Sequence, residues 1–278
     1  MNPYTCSKEE FLKQALIPVR IVKDEFAMYD EMARLMAEKI VENNRKGEKT
    51  VMIVPVGPIA QYPRLVKLIN DQKISLKNVW FINMDEYLTD DDKPISVHDP
   101  LSFHMIMNRD FYSKVDAALV MPESQRLFPE PGKEREIDAL IDSLGKVDMC
   151  LTGVGINGHI AFNEPPEADD PITDEGYKNS NTRRLNISKE TVVNNGSRKI
   201  RGALDIFPKR CITLGMRQLL KAETLKVYLN CDWQWGIMRN MALERENRTL
   251  PVSFLQSHSN AEMIISEDLY NFSLADIK

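Results

Sequence analysis

Residues 147–166, VDMCLTGVGINGHIAFNEPP, pass from an apolar run into a glycine-rich turn that carries a histidine and a carboxylate. Val147 to Leu151 has the length and apolarity of a buried strand. Gly153, Gly155 and Gly158 then supply the positive φ or the close backbone approach that a tight exit from a strand requires.

Similar runs stand on either side. Thr50 to Val56 is continuously apolar with β-branched residues, a Gly-Pro turn and a helical segment from Gln61 to Asn70 follow it, and Val79 to Met84 repeats the strand pattern. Further strands are predicted at about Cys211 to Leu214, Leu225 to Leu229 and Glu262 to Ile265, with helices such as Arg135 to Leu144 and Trp233 to Glu246 between strands. Upstream, Arg20 to Lys23 reads as an edge strand. Asp24 to Asn44 carries Phe26, Met28, Met32, Leu35, Met36, Ile40 and Val41 at helical spacing, which makes one core-facing stripe. Apolar strands alternating with helices indicate βαβ units. The expected fold is therefore α/β: a doubly wound, mostly parallel sheet with helices on both faces, of a modified Rossmann-like kind. Residues 18–278 read as a single domain, and 1–17 as an N-terminal extension whose Glu9 to Leu16 forms an added surface helix.

In such a sheet, ligands collect beyond the carboxyl ends of the strands, near the switch in winding direction. Asp85, the 153–164 loop, the 55–58 turn and the 230–233 turn all follow predicted strands, so they are expected to converge. Residues 88–99 and 165–182 are longer, polar connections, and the second is a candidate lid.

The chain has 278 residues, 43% of them hydrophobic, enough for one sizeable core. A net charge of -5 with interspersed signs leaves no basic stripe for nucleic acid, and no continuous apolar run approaches the length needed to span a bilayer. A soluble protein acting on small molecules fits these properties. Cys6, Cys150, Cys211 and Cys231 are far apart, without the paired spacing of a zinc site, and read as reduced, mostly buried thiols. The N-terminus mixes Asp, Glu and Lys and lacks a hydrophobic signal core, so the expected location is the cytoplasm.

His159 is the side chain of the loop whose unperturbed pKa allows proton transfer in both directions near neutral pH. Asn157 and Glu164 lie close enough in sequence to orient its ring or supply hydrogen bonds. A glycine-rich turn with a histidine capping a helix is the plainer reading of the same residues.

Residues 153–165, GVGINGHIAFNEP, closely resemble the signature of glucosamine-6-phosphate deaminases, also called isomerases, and Asn83-Met84-Asp85-Glu86-Tyr87 resembles their second signature. The two motifs lie in the family's order with a comparable separation. Weaker similarity runs from about Pro18 to Glu267, including Phe207-Pro208-Lys209 and Leu255-Gln256-Ser257-His258. The resemblance implies that a cyclic 2-amino-2-deoxy sugar 6-phosphate is opened, isomerised from aldose to ketose and relieved of its C2 nitrogen as ammonia, without a cofactor. It implies His159 as the group that moves the ring-opening proton, with Glu164 and Asn157 setting its orientation and charge. It implies Asp85 as the base that takes the C2 proton and returns it at C1. Glu86 points to the opposite face of an extended strand and receives no catalytic role. Many members carry Asp where this chain has Asn157, which supplies no negative charge to an imidazolium, so Glu164 is expected to provide it. No residue is assigned to a metal.

The chain departs from the family where a phosphate would sit. The family's Gly-rich Ser/Thr turn cradles phosphate with backbone N–H groups, whereas this chain has Val54-Pro55-Val56-Gly57-Pro58-Ile59, in which two prolines remove donors. The family's Gly-x-x-Lys after a late strand corresponds to Leu229-Asn230-Cys231-Asp232-Trp233, with no lysine. Gly57, Gly155, Gly158 and Arg198 remain as candidate substrate-binding residues, with Arg183 and Arg184 as further cations in or beside the lid. The expected function is an amino-sugar isomerase/deaminase whose substrate, a sugar or sugar phosphate, is not a standard 6-phosphate. Two alternatives stay open. One is a 6-phosphogluconolactonase-like hydrolase, although those enzymes lack the glutamate of Phe162-Asn163-Glu164-Pro165; the other is an inert sugar-binding sensor. Family members are often oligomeric, so a homo-oligomer is among the expectations, without a number.

Overall fold

The computed structural model describes residues 2–274. In chain order its elements are α1 (Lys8–Gln14), β1 (Val19–Val22), α2 (Glu25–Lys46), β2 (Thr50–Val54), α3 (Gln61–Gln72), β3 (Val79–Asn83), β4 (Asp85–Leu88), α4 (Phe103–Met107) and β5 (Arg126–Leu127). There follow α5 (Glu134–Ser143), β6 (Met149–Thr152), α6 (Asp174–Lys178), β7 (Arg183–Asn186), α7 (Lys189–Lys199), β8 (Arg210–Thr213), α8 (Met216–Leu219), β9 (Leu225–Leu229), α9 (Trp235–Leu243), β10 (Ala261–Ser266) and α10 (Glu267–Asn271).

Seven strands form one parallel sheet in the order β1-β10-β9-β6-β2-β3-β5. From β2 the chain winds outward through β3 to β5, returns to the other side of β2 at β6, and continues through β9 to β10. The winding direction therefore switches between β2 and β6. Every residue of β2 is buried, with Val51 and Ile53 in one core and Met52 and Val54 in the other. A strand covered on both faces has no polar face to alternate with, which is why it reads as a continuous apolar run. Met32 and Ile40 of α2 and Leu65 and Ile69 of α3 fill one core, while Ile137 and Ile141 of α5 and Met238 and Met241 of α9 fill the other. The longest helix, α2, starts where the Asp24 carboxylate accepts the Ala27 N–H and stops at Gly47, held at φ 69°.

Two expectations are corrected. The run Cys211 to Leu214 supplies no strand of the parallel sheet: β8 pairs antiparallel with β4 and β7 in a separate three-stranded sheet. Its apolar residues are buried, and burial alone does not distinguish the two sheets by period. The helix near the N-terminus lies at the surface, with five of the seven residues of α1 exposed; Phe11 is fully buried, and Arg239 of α9 donates to the Pro3 and Cys6 carbonyl oxygens. Residues 165–182 pack down instead of arching over a site. Tyr177 of α6 is buried, its hydroxyl donates to the Glu164 carbonyl (2.7 Å), and its ring stacks on Phe254. Among the described residues, no helix is long and apolar enough to cross a membrane, and all four cysteines are free thiols.

Candidate active site

Two strand exits meet at the switch point. After β3 and Met84 the chain turns directly into β4, whose first residue, Asp85, pairs antiparallel with Thr213 of β8. Beyond β6 the chain opens into the glycine loop. Asp85 and His159 line one cavity of about 430 Å³, together with the turns after β2 (Pro55 to Pro58), β6 (Gly153 to Gly155) and β9 (Asn230, Cys231, Trp233 and Gln234). That size suits a small molecule.

The ring of His159 lies directly on Gly155, where an added Cβ would come within 2.0 Å of the ring Cε1. Gly155 thus makes room for the ring. Gly158, at φ 84°, shapes the turn and faces Leu250; it lies outside the cavity lining. Behind the ring, His159 Nδ1 stands 2.8 Å from Asn157 Oδ1, 3.3 Å from Thr191 Oγ1 and 3.4 Å from Glu164 Oε2. Asn157 Nδ2 donates to Glu164 Oε2 (2.5 Å) and to Ser188 Oγ (3.0 Å). With its nitrogen committed to those acceptors, Asn157 offers only its oxygen to the ring. This network assigns the proton to Nδ1 and leaves Nε2 as the basic nitrogen.

Glu164 is buried, which opposes its ionisation. The charge that His159 carries when protonated, with hydrogen bonds from His159, Asn157 and Thr191, outweighs burial and holds its carboxyl at about 2. Glu164 therefore carries the negative charge that Asn157 lacks. The same loss of solvent acts differently on Asp85, which is 6% exposed and whose carboxylate has no hydrogen bond or ion pair among the described residues. Burial, helped by repulsion from Glu86, pushes it up to about 8 against the pull of Lys199.

Glu86 points the other way, as the strand period requires. It accepts from Ser102 Oγ (3.1 Å) and from the Phe103 and His104 N–H groups (both 3.0 Å) at the start of α4. Glu86→Gln is expected to cost about 1–3 kcal/mol of stability by weakening these bonds. It also removes a negative charge beside Asp85, so the acidic limb of the kcat/KM profile moves to lower pH. Thermal melts and a pH–rate profile check the two effects separately.

No family model matches the chain. The glucosamine-6-phosphate deaminase of Borrelia garinii is 30% identical over 250 residues, covering 87% of this chain and 86% of that protein. The chain belongs to the glucosamine-6-phosphate deaminase family. The deaminase of Clostridium perfringens is 25% identical over 249 residues, covering 86% of this chain and 94% of that protein. Among solved structures, a monomeric glucosamine-6-phosphate deaminase superposes with a TM-score of 0.78 at 24% identity, over 91% of this chain and 98% of its own. A 6-phosphogluconolactonase from Thermotoga maritima superposes with a TM-score of 0.63 at 15% identity, over 90% and 99%. Both likenesses are of fold.

This deaminase-family cavity draws its cations from one place. Arg183 is turned away to Asn163 Oδ1 (2.8 Å) and Ser180 Oγ (3.0 Å), and Arg184 pairs with Glu134 (3.0 Å) and Asp92 (3.3 Å). Arg198 does line the cavity, with its guanidinium 5.4 Å from the Trp233 ring centre; Gly57 lines it too, and Asp232 does not. Lys199 also lines it and is absent from the sequence-based expectations. Both cations come from the last turn of α7. The available signal for that helix is Ser188 as N-cap, Glu190 in the first turn and the basic pair at the end.

Proposed function

We propose that this protein is an amino-sugar isomerase/deaminase, an isomerase in its proton transfers and a hydrolase in its release of ammonia. The observation that carries the reading is Asp85 facing the same cavity as a His159 whose Nδ1 is tied to Asn157 and Glu164. Ring opening removes a proton from the C1 hydroxyl and delivers one to the ring oxygen. His159 Nε2 serves both transfers, and Glu164 stabilises the imidazolium that exists between them. Asp85 as carboxylate then takes the C2 proton, leaving an enediol-type enolamine. Return of the proton at C1 gives a C2 imine, which water hydrolyses to the ketose and ammonia.

The far end of the substrate is proposed to lack a standard 6-phosphate. The turn after β2 presents Pro55, Val56, Gly57 and Pro58 to the cavity, and its prolines have no N–H to offer an anion. Pro58 packs so closely that a Cβ on Gly153 would meet its ring carbon at 3.1 Å. Arg198 is already engaged, with Nη2 3.5 Å from Cys231 Sγ and its plane over Trp233. Ammonia release from a panel of amino sugars and their 6-phosphates tests both parts. The unphosphorylated sugar is expected to have a kcat/KM about tenfold above that of glucosamine 6-phosphate, which corresponds to ~1.4 kcal/mol. Equal or better turnover of the phosphate overturns the substrate assignment alone. Lactone hydrolysis without ammonia transfers the protein to the lactonase reading, and ligand-dependent melting shifts with neither product make it a sensor.

A further inference from the structure

Lys199 has no part in the steps above, yet it is placed where they occur. Its helix, α7, begins at Ser188, which accepts from Asn157, and ends at the Asp85 side of the cavity, so one element touches both halves of the proposed machinery. The ammonium lies 4.9 Å from the Phe103 ring centre and 5.2 Å from that of Tyr87, and it donates to the Tyr87 hydroxyl at 3.3 Å. Among the described residues no carboxylate lies within ion-pair distance of it. Two ring faces and a hydroxyl oxygen favour the ammonium over the amine, so the surroundings are built to retain a positive charge that burial alone would expel.

The charged or titratable groups around this pair are Tyr87 on β4, Cys211 on β8, Arg198 on α7, and His159 and Tyr228 across the cavity, with Glu86 acting on it from the opposite face of β4. Tyr87 and Cys211 are pushed well above their ordinary values by burial and stay neutral. Glu86 repels the Asp85 carboxylate and Lys199 attracts it, while burial brings the lysine itself down to about 8. A charge in a low-dielectric interior acts over a longer distance than it would in water.

We propose that Lys199 is a positioning residue for Asp85: its ammonium, caged by Tyr87 and Phe103 in the same cavity, favours the carboxylate form that removes the C2 proton. The kinetic consequence rests on the deaminase reading, whereas the electrostatic one does not. The test is Lys199→Met, close to isosteric, with Lys199→Gln as a second neutral variant and Lys199→Arg retaining the charge. Protein labelled with ¹³C at the aspartate carboxyls is titrated by NMR without substrate, and the Asp85 resonance is assigned by its loss in Asp85→Asn. The Asp85 midpoint is expected to rise by about one pH unit in both neutral variants and to stay near the wild-type value in Lys199→Arg. With the amino sugar that the panel identifies, kcat at pH 7 falls about tenfold in the neutral variants, KM changes little, and the acidic limb moves with the carboxyl. An unmoved Asp85 titration in a folded neutral variant overturns the proposal, and so does a raised KM with an unmoved acidic limb. A moved titration in a protein that releases no ammonia from any sugar sustains the electrostatic role and sinks the deaminase reading instead.

Discussion

Asp85→Asn is expected to lower kcat/KM by about 10²–10⁴-fold and, at the same time, to raise the melting temperature. The activity loss is that of removing a general base, since an amide of the same shape takes no proton. The gain in stability follows from the sign of the shift. An aspartate titrates near ~3.9 in an unfolded chain, and burial, with Glu86 beside it, raises Asp85 to about 8 in the folded protein. A carboxyl raised on folding supports the fold fully below the lower value and withdraws that support as pH rises toward the upper one. Between those limits the folded protein holds a proton that the unfolded chain would release, at a cost of ~1.4 kcal/mol for each pH unit above the lower value. The amide escapes this cost. The melting temperature should therefore exceed that of wild type by roughly 2–4 °C per kcal/mol recovered, and the gap should widen from pH 5 to pH 8. Calorimetric melts across that range and steady-state kinetics give the two readings. A variant that melts lower at every pH, or loses less than about tenfold in rate, means that Asp85 is neither desolvated nor the base.

The trade between rate and stability at Asp85 is invisible in the sequence, although the residue itself is not. Asp85 is legible because it follows an apolar strand in a recognisable motif; its burial depends on β8, whose pairing with β4 crosses more than a hundred positions of chain. The parallel sheet is legible for a simpler reason. Strands such as β2 and β9 are buried on both faces and stand out as apolar runs, and β9 was expected and is found from Leu225 to Leu229. The second sheet escapes because β7, Arg183–Asn186, alternates half-buried and exposed residues, has one apolar side chain, and resembles a surface loop. α7 escapes for a related reason: its buried residues are Thr191 and Gly196, too few and too small to set a helical period. Losing α7 meant losing Lys199, and it left Arg183, Arg184 and Arg198 indistinguishable until the fold sent two of them elsewhere. Asn157 reads from sequence as a deficit of charge, yet its amide joins the His159 ring to the Glu164 carboxylate in a way that a second carboxylate there would not.

Gly155→Ala is expected to disable the site as thoroughly as His159→Gln, although it alters no group that reacts. The new Cβ would stand 2.0 Å from His159 Cε1, 2.1 Å from Nε2 and 2.5 Å from Nδ1, under the face of a rigid ring. Gly155 does not have a positive φ, so alanine suits the backbone and the conflict lies with the ring alone. A shift of a few tenths of an ångström does not relieve contacts this short, so the ring must swing. In swinging it gives up the 2.8 Å bond to Asn157 and carries Nε2 away from the cavity. Loss of an oriented acid–base group is worth about 10²–10⁴-fold in kcat/KM, with a further ~1–3 kcal/mol of stability lost to overpacking. Because both substitutions remove the same function, the Gly155→Ala/His159→Gln pair should be no slower than either single variant; independent effects would multiply instead. Steady-state rates on the four proteins complete the cycle. Multiplying effects, or a Gly155→Ala protein that keeps more than about a tenth of wild-type activity, would separate the placement of the His159 ring from catalysis and leave ring opening to another group.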